Sequence, residues 1–163
     1  MKSPSLFRDQ VLPLLGMLTR WALGLQFIYM GLTKALDPVD FLKLVRQYDM
    51  IHSSLLLNLI ASALPWFEVF CGALLVSGVA VRGVAAMSLL MLVPFTLIVL
   101  QRALAIQAAQ GLPFCAIRFD CGCGAGEVAI CFKLFENSLL ILLSVLFMVW
   151  RNNRWALRFE LFK

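Results

Sequence analysis

Residues 84–100 read VAAMSLLMLVPFTLIVL, an apolar run with no charged side chain. A helix that crosses the hydrocarbon core of a bilayer needs about 20 such residues, and similar runs lie on both sides of this one. The chain of 163 residues is 62% hydrophobic and 14% charged, whereas soluble domains carry about 25% charged residues. The composition therefore excludes the soluble-enzyme and disordered classes and predicts one membrane domain over residues 1–163.

Four apolar segments fit into this length, and six would not. Pro65 lies inside the second segment, which predicts either a kink or a span that starts near Pro65. Segment 39–50, VDFLKLVRQYDM, places Phe41 and Val45 at helical spacing among charged residues. It predicts a short amphipathic helix, lying at the membrane interface or solvated without a partner. The predicted fold is an all-α integral membrane four-helix bundle with spans at about 11–34, 55–81, 84–102 and 132–150.

The basic residues predict the orientation of the bundle. The net charge of +5 comes from 14 basic and 9 acidic residues, and because no basic patch is interleaved with aromatics, we predict no nucleic-acid partner. Basic residues are about twofold denser in the two termini and around Arg82 than in the other connections. This predicts a multi-pass protein of the bacterial inner membrane with cytoplasmic termini. The connection at about 109–131 then lies in the periplasm, where disulfides persist.

That connection holds four of the five cysteines, in PFCAIRFDCGCGAGEVAICF at 113–132. Cys121 and Cys123 flank a single glycine, so a disulfide between them closes a very small ring and is easily reduced. Cys115 and Cys131 bracket the pair. They either close the loop with a relaxed disulfide or each resolve a central cysteine, and spacing alone does not choose the pairing.

Three interpretations of this loop remain open: two structural disulfides, a zinc site, and a redox-active dithiol. The paired C-x-x-C spacing of zinc sites is missing and no histidine is near, so we assign no metal. We favour Cys121 and Cys123 as the reactive pair. A quinone near Glu68 and Lys34 would follow only by analogy with other four-helix thiol oxidases, so the cofactor stays unassigned.

Ionisable side chains inside the predicted spans point to a functional site, because burying a charge in a membrane is costly. Glu68 either pairs with Arg20 at similar depth or, if the second span starts near Pro65, lies nearer Lys34 or Arg102. Four polar residues fall near the outer ends of their spans. They either form a cluster beneath the dithiol or extend their polar ends separately into solvent. These four are Lys34, Arg102, Glu136 and Asn137.

With these residues located, the chain resembles the MauE/DoxX family of redox-associated membrane proteins over about residues 14–145. The resemblance implies a four-helix membrane protein; MauE-like members are associated with maturation of the disulfide-rich small subunit of methylamine dehydrogenase. The family's usual Cys-Gly-Cys-Phe-Gly is Cys-Gly-Cys-Gly-Ala-Gly here. The residues that carry the resemblance are Arg20, Phe27, Gly31, Lys34, Phe41, Val45, Tyr48, Leu64-Pro65, Glu68, Gly72, Gly78, Cys121–Gly124, Lys133-Leu134 and Glu136-Asn137.

Three hypotheses for function follow. The first is a thiol–disulfide redox protein, a component of an oxidoreductase that oxidises, reduces or helps to mature an extracytoplasmic protein bearing thiols or disulfides. The second is a non-enzymatic membrane scaffold for a partner protein. The third is a transporter of a soft metal or sulfur species captured by the loop thiols.

Overall fold

The computed structural model describes residues 12–48, 53–122 and 126–149, and 85% of them are helical. Five helices, a 3-10 turn and a two-stranded hairpin follow one another within these residues. They are α1 (Leu12–Leu36), α2 (Pro38–Gln47), α3 (Ser54–Ser77), α4 (Val81–Gln110), the turn Phe114–Ala116, β1 (Arg118–Asp120), β2 (Glu127–Ala129) and α5 (Ile130–Val149).

Three of the helices, α3, α4 and α5, are long and apolar enough to cross a membrane. The chain is a membrane protein on this ground. Helix α1 has 25 residues and is continuous, but Arg20, Gln26 and Lys34 interrupt its apolar sequence. It is not one of the three. The predicted count of four spans therefore stays a prediction.

The boundaries of α3 and α4 differ from those of the predicted spans. Helix α3 ends at Ser77 rather than near residue 81, because Gly78 adopts a left-handed φ of 78° and its N–H bonds to the carbonyl of Leu74 at 2.9 Å. The helix runs continuously through Pro65, so it does not start there. Helix α4 begins at Val81 and continues to Gln110, beyond the predicted end at 102.

The short helix between the first two predicted spans is present as α2. Asp37 caps it by accepting a hydrogen bond from the backbone N–H of Asp40 at 3.0 Å, and Pro38 occupies the first turn. Phe41 is buried while Asp40 and Lys43 are exposed, which is the amphipathic pattern predicted. Its place at a membrane interface stays a prediction.

The helices pack as two antiparallel pairs, α1 with α3 and α4 with α5, and α2 packs mainly on α3. Two apolar cores lie along the bundle. One, around Leu23 and Leu75, fills the half near the turn between α3 and α4. The other, around Met30, Ile117 and Cys121, lies beneath the cysteine loop.

The loop contains a β-hairpin that the sequence did not predict. Strands β1 and β2 pair antiparallel, with Phe119 opposite Val128. Cys115 and Cys131 form a disulfide with a Cα–Cα distance of 5.1 Å, which joins the 3-10 turn to the start of α5. This is one of the pairings left open by the sequence, and it closes the neck of the loop.

Candidate functional site

Close contact between α1 and α3 sets the position of the two charged groups at the site. A Cβ on Gly31 would lie 2.6 Å from the carbonyl oxygen of Pro65, and one on Gly24 would lie 2.8 Å from that of Gly72. Only glycine allows two backbones to approach this closely. The contact fixes the register of the pair, and in that register Lys34 faces Glu68.

Lys34 and Glu68 form a buried ion pair. The Lys34 Nζ lies 2.7 Å from both carboxylate oxygens of Glu68, and the two side chains are 5% and 12% exposed. The same Nζ lies 5.4 Å from the ring centroid of Phe41 and 5.9 Å from that of Phe95. Both aromatic rings therefore add cation–π attraction to the ammonium.

A second polar group extends from this pair into the bundle. The Lys133 Nζ lies 2.9 Å from one carboxylate oxygen of Glu136, and the amide of Gln26 donates to the other at 2.7 Å. Asn137 is fully buried and donates to the hydroxyl of Thr96 at 3.2 Å. Side chains from α1, α4 and α5 thus hydrogen-bond to one another inside the bundle, where lipid and core atoms offer no partners, although the side-chain oxygen of Asn137 has no hydrogen-bond partner among the described residues.

A cavity of about 320 Å³ lies between α2, α3, α4 and the cysteine loop. The Lys34–Glu68 ion pair lines one part of it, and Cys121 and Gly122 of the loop line another. Aliphatic and aromatic side chains make up the rest. These wall residues are Phe41, Leu44, Val45, Tyr48, Ile60, Leu64, Leu90, Met91, Pro94, Phe95 and Ile98.

The loop holds Cys121 against this cavity and away from bulk solvent. Cys121 is 1% exposed, and its carbonyl accepts a hydrogen bond from the Tyr48 hydroxyl at 3.1 Å. The next residue, Gly122, has a φ of 76°, donates its N–H to Asp120 at 2.9 Å and lies against Phe41. Helix α2 and the loop therefore hold each other in place.

The structure brings together some of the predicted site residues and separates others. Glu68 pairs with Lys34 and not with Arg20, which is buried about four turns away along α1. Arg102 lies on an exposed face of α4. Cys71 is buried in the apolar core around Leu23 and Leu75 and packs there. Cys123, predicted as the partner of Cys121, lies outside the described residues.

Two features of the site escaped the sequence analysis. Lys133 was named in the resemblance, but its ion pair with Glu136 was not predicted, although i,i+3 spacing at the start of a helix is a signal for such a pair. The cavity itself left no signal, because its wall residues come from separate elements and look like ordinary lipid-facing or core positions. Tyr48 was quoted in the resemblance, but its contact with the loop depends on tertiary packing.

Comparison with models of protein families gives a match over most of the chain. The family model described as "Methylamine utilisation protein MauE" matches residues 12–151, which is most of the chain. No curated protein and no solved structure gives a significant match.

Proposed function

Because the chain belongs to the MauE family, we propose that it is a membrane-embedded thiol–disulfide redox protein that acts on an extracytoplasmic partner. The observation that carries the proposal is the position of Cys121. A disulfide-closed hairpin holds it at the edge of a cavity that also contains the Lys34–Glu68 ion pair. A cysteine placed purely for packing would need neither the cavity nor the buried charges.

The chemistry is exchange between the Cys121–Cys123 pair and a dithiol of the partner. A partner thiolate attacks the Cys121–Cys123 disulfide and forms a mixed disulfide, which the partner's second thiolate then breaks. The partner ends with one new disulfide, and the pair ends as two thiols that have taken up two electrons and two protons. The reverse sequence reduces the partner, and the same two residues serve both directions.

The proposal includes a topology. Helices α1, α3, α4 and α5 cross the bacterial inner membrane, α2 lies at its outer interface, and both termini are cytoplasmic. The Cys115–Cys131 disulfide supports an extracytoplasmic loop, since disulfides persist there and are rare in the cytosol. The burial of Lys34 in the last turn of α1, at the end of that helix nearest the loop, fits a site that faces that side.

The test follows the redox state of the loop in intact cells. Free thiols are alkylated in intact cells, and the thiols released by lysis in reductant are then alkylated separately. Cys121 and Cys123 are expected to alternate between the thiol and the disulfide state, while Cys115 and Cys131 stay in a disulfide. Cys121→Ser with Cys123→Ser should abolish oxidation or maturation of the partner. Cys71→Ser, a change at a buried cysteine of the other core, is the matched control and should leave it intact.

The same variants separate this proposal from a scaffold role. A scaffold needs only the Cys115–Cys131 disulfide and its packing surfaces, so the partner would mature normally with serine at 121 and 123. Normal maturation in that double variant, or cysteines that never change state, would remove the redox proposal.

A further inference from the structure

Cys121 is shielded from the partner that it is proposed to meet. The residue is 1% exposed and belongs to the apolar core that contains Ile117 and Ile130. Thiol–disulfide exchange requires a sulfur of the partner to reach a sulfur of this protein, and its rate depends on that access. A sulfur that water barely reaches is closed to a protein chain. Part of the structure must therefore move before Cys121 can react.

Helix α2 lies against the loop at this point. Tyr48, directly after the helix, donates its hydroxyl hydrogen to the carbonyl of Cys121 at 3.1 Å. Phe41 and Leu44 lie against Gly122, where an added Cβ would meet them at 3.6 and 3.7 Å. Beside these contacts, the same face of α2 borders the cavity of about 320 Å³ rather than a filled core. Few atoms therefore hold α2 and the loop together.

The attachment of α2 to the rest of the protein favours movement of the helix as a unit. Among its ten described residues, Phe41 is the buried one, and segments with few buried apolar side chains open at a small cost in free energy. Asp37, with φ −129° and ψ 75°, is the single non-helical residue between α1 and α2. The Lys34 ammonium lies 5.4 Å from the Phe41 ring and attracts it. Asp37 is thus placed as a hinge and Phe41 as the anchor.

We propose that α2 is a gate over Cys121. In the closed position of this structure, Phe41 and Tyr48 hold the loop against the bundle, and the sulfur is shielded. A swing of α2 about Asp37 breaks the Tyr48 hydrogen bond and lifts Phe41 off the loop, which exposes Cys121. The inference rests on the proposed function and deepens it, because it states what controls access to the same sulfur.

The gate gives the site a preference for proteins over small thiols. A partner protein that binds the open position shifts the equilibrium toward that position, by as much as its affinity for the two positions differs. A small thiol offers no surface for such binding and meets the closed position most of the time. Cys121 is therefore exposed when a partner is docked and shielded otherwise.

The first test measures how fast N-ethylmaleimide labels Cys121 in the full-length protein in lipid nanodiscs. The background carries Cys71→Ser and Cys123→Ser, so that Cys121 is the thiol that reacts while Cys115 and Cys131 stay joined in their disulfide. In this background, labelling of Cys121 should be at least about tenfold slower than labelling of a cysteine at an exposed position.

The variant Tyr48→Phe removes one hydrogen bond from the closed position and should raise the labelling rate about three- to tenfold. The matched control is Tyr29→Phe, at the other tyrosine of the chain, which is 56% exposed on α1 and should leave the rate unchanged. Phe41→Leu removes the ring that faces Gly122 and Lys34, so it should also raise the rate, and it repeats the test if Tyr48→Phe fails to fold.

Three results would overturn the gate. The first is equal labelling rates in the Tyr48→Phe and Tyr29→Phe variants. The second is labelling of Cys121 as fast as that of Leu112→Cys, a position that is 43% exposed, measured with serine at 121. The third is a labelling rate that rises with urea as steeply as global unfolding does, because the sulfur would then be exposed by unfolding and not by movement of α2.

The outcomes for the gate and for the proposed function are distinguishable. If Tyr48→Phe speeds labelling as expected but the partner still matures with serine at 121 and 123, the gate stands and the redox proposal falls. If the cysteines change state in cells while Tyr48→Phe labels no faster than Tyr29→Phe, the gate alone is removed.

Discussion

Each member of the Lys34–Glu68 pair is tolerated at its position because of the other. Taking an ammonium and a carboxylate out of water costs several kcal/mol per ion, and their attraction at 2.7 Å recovers this cost only because both carboxylate oxygens are engaged. The rings of Phe41 and Phe95 lower the cost for the ammonium further. The pair is neutral as a unit. Removing one member therefore leaves an uncompensated buried charge, whereas removing both does not.

Two variants at the ion pair separate the effect of charge from the effect of shape. Lys34→Met leaves the Glu68 carboxylate buried without its cation and should lower the free energy of unfolding in detergent by about 3 kcal/mol. Lys34→Met combined with Glu68→Met removes both charges and should recover most of that loss. Thermal or denaturant unfolding of the three proteins measures it. A double variant as unstable as the single one would show that shape, and not charge, makes this position sensitive.

The sequence located these charged residues without choosing between their pairings. Lys34 and Glu68 stood out because ionisable residues are rare in apolar segments. Depth along the spans left Arg20, Lys34 and Arg102 as possible partners for Glu68, because the rotation of each helix about its axis depends on packing. The contact at Gly31 settles that rotation, and a pattern of glycines alone does not reveal which residue of α3 lies opposite.

At the scale of elements, α1 and α3 act as one unit. Gly24 and Gly31 on one helix and Gly72 on the other bring the backbones together, and Trp21 adds a hydrogen bond from its Nε1 to the carbonyl of Val76 at 3.1 Å. In a membrane such packing is a main source of helix association, since lipid tails are as apolar as leucine. The geometry of the ion pair depends on this contact.

Gly31→Ala should therefore destabilise the protein by about 2 kcal/mol, because the added methyl would overlap the Pro65 carbonyl and force the helices apart. Gly16→Ala is the matched control on the same helix. A Cβ there meets nothing within 4 Å, and alanine is the better helix former, so stability should hold or rise slightly. Unfolding midpoints in one detergent compare the two; equal losses would contradict the packing argument.

The hairpin loop is the second element with a distinct role. The Cys115–Cys131 disulfide closes a loop with a sequence separation of 16, and constraining the unfolded chain over such a loop is worth about 3 kcal/mol. Cys115→Ser with Cys131→Ser should lower stability by about this amount and leave thiol exchange at Cys121 in place at reduced temperature. If exchange stops in protein that is still folded, these cysteines resolve the central pair and are not only structural.

Element boundaries show where the sequence analysis failed and why. The predicted third span ends at Arg102, where the apolar run ends, and the helix was expected to continue to about Gln107; residues 103–110 read ALAIQAAQ and favour helix by propensity, so α4 extends to Gln110. The hairpin was missed because its strands have three residues each and β-pairing depends on a partner strand. Gly78 and Gly111 adopt positive φ directly after α3 and α4. Glycine at this position commonly ends a helix, so the sequence did contain a signal for both ends.

The whole molecule is strongly asymmetric along the bundle. The disulfide and the apolar core around Ile117 and Cys121 lie at the loop end of the bundle, and the larger apolar core lies toward the turn between α3 and α4, with the ion pair and the cavity between them. The asymmetry fits chemistry carried out at one face of the membrane.

The orientation of that face is open to a direct measurement. In a background with serine at 121 and 123, Leu112→Cys adds a thiol at the loop end of α4, and Val79→Cys adds one in the turn before α4. Helix α4, at 30 residues, is about 45 Å long, so the two thiols should lie on opposite sides of the bilayer. A membrane-impermeant maleimide should label Leu112→Cys in intact spheroplasts and Val79→Cys only after lysis.

The outcome bears on the redox chemistry because the two orientations have different consequences. With the loop outside, the Cys115–Cys131 disulfide is stable, the reactive pair meets secreted proteins, and Arg82 lies on the side where basic residues accumulate. With the loop inside, cytosolic thiols would reduce both pairs, and exchange with an extracytoplasmic partner would be impossible. Labelling of Val79→Cys but not Leu112→Cys in intact spheroplasts would therefore overturn the proposed function, whereas labelling of both would show that α4 does not span.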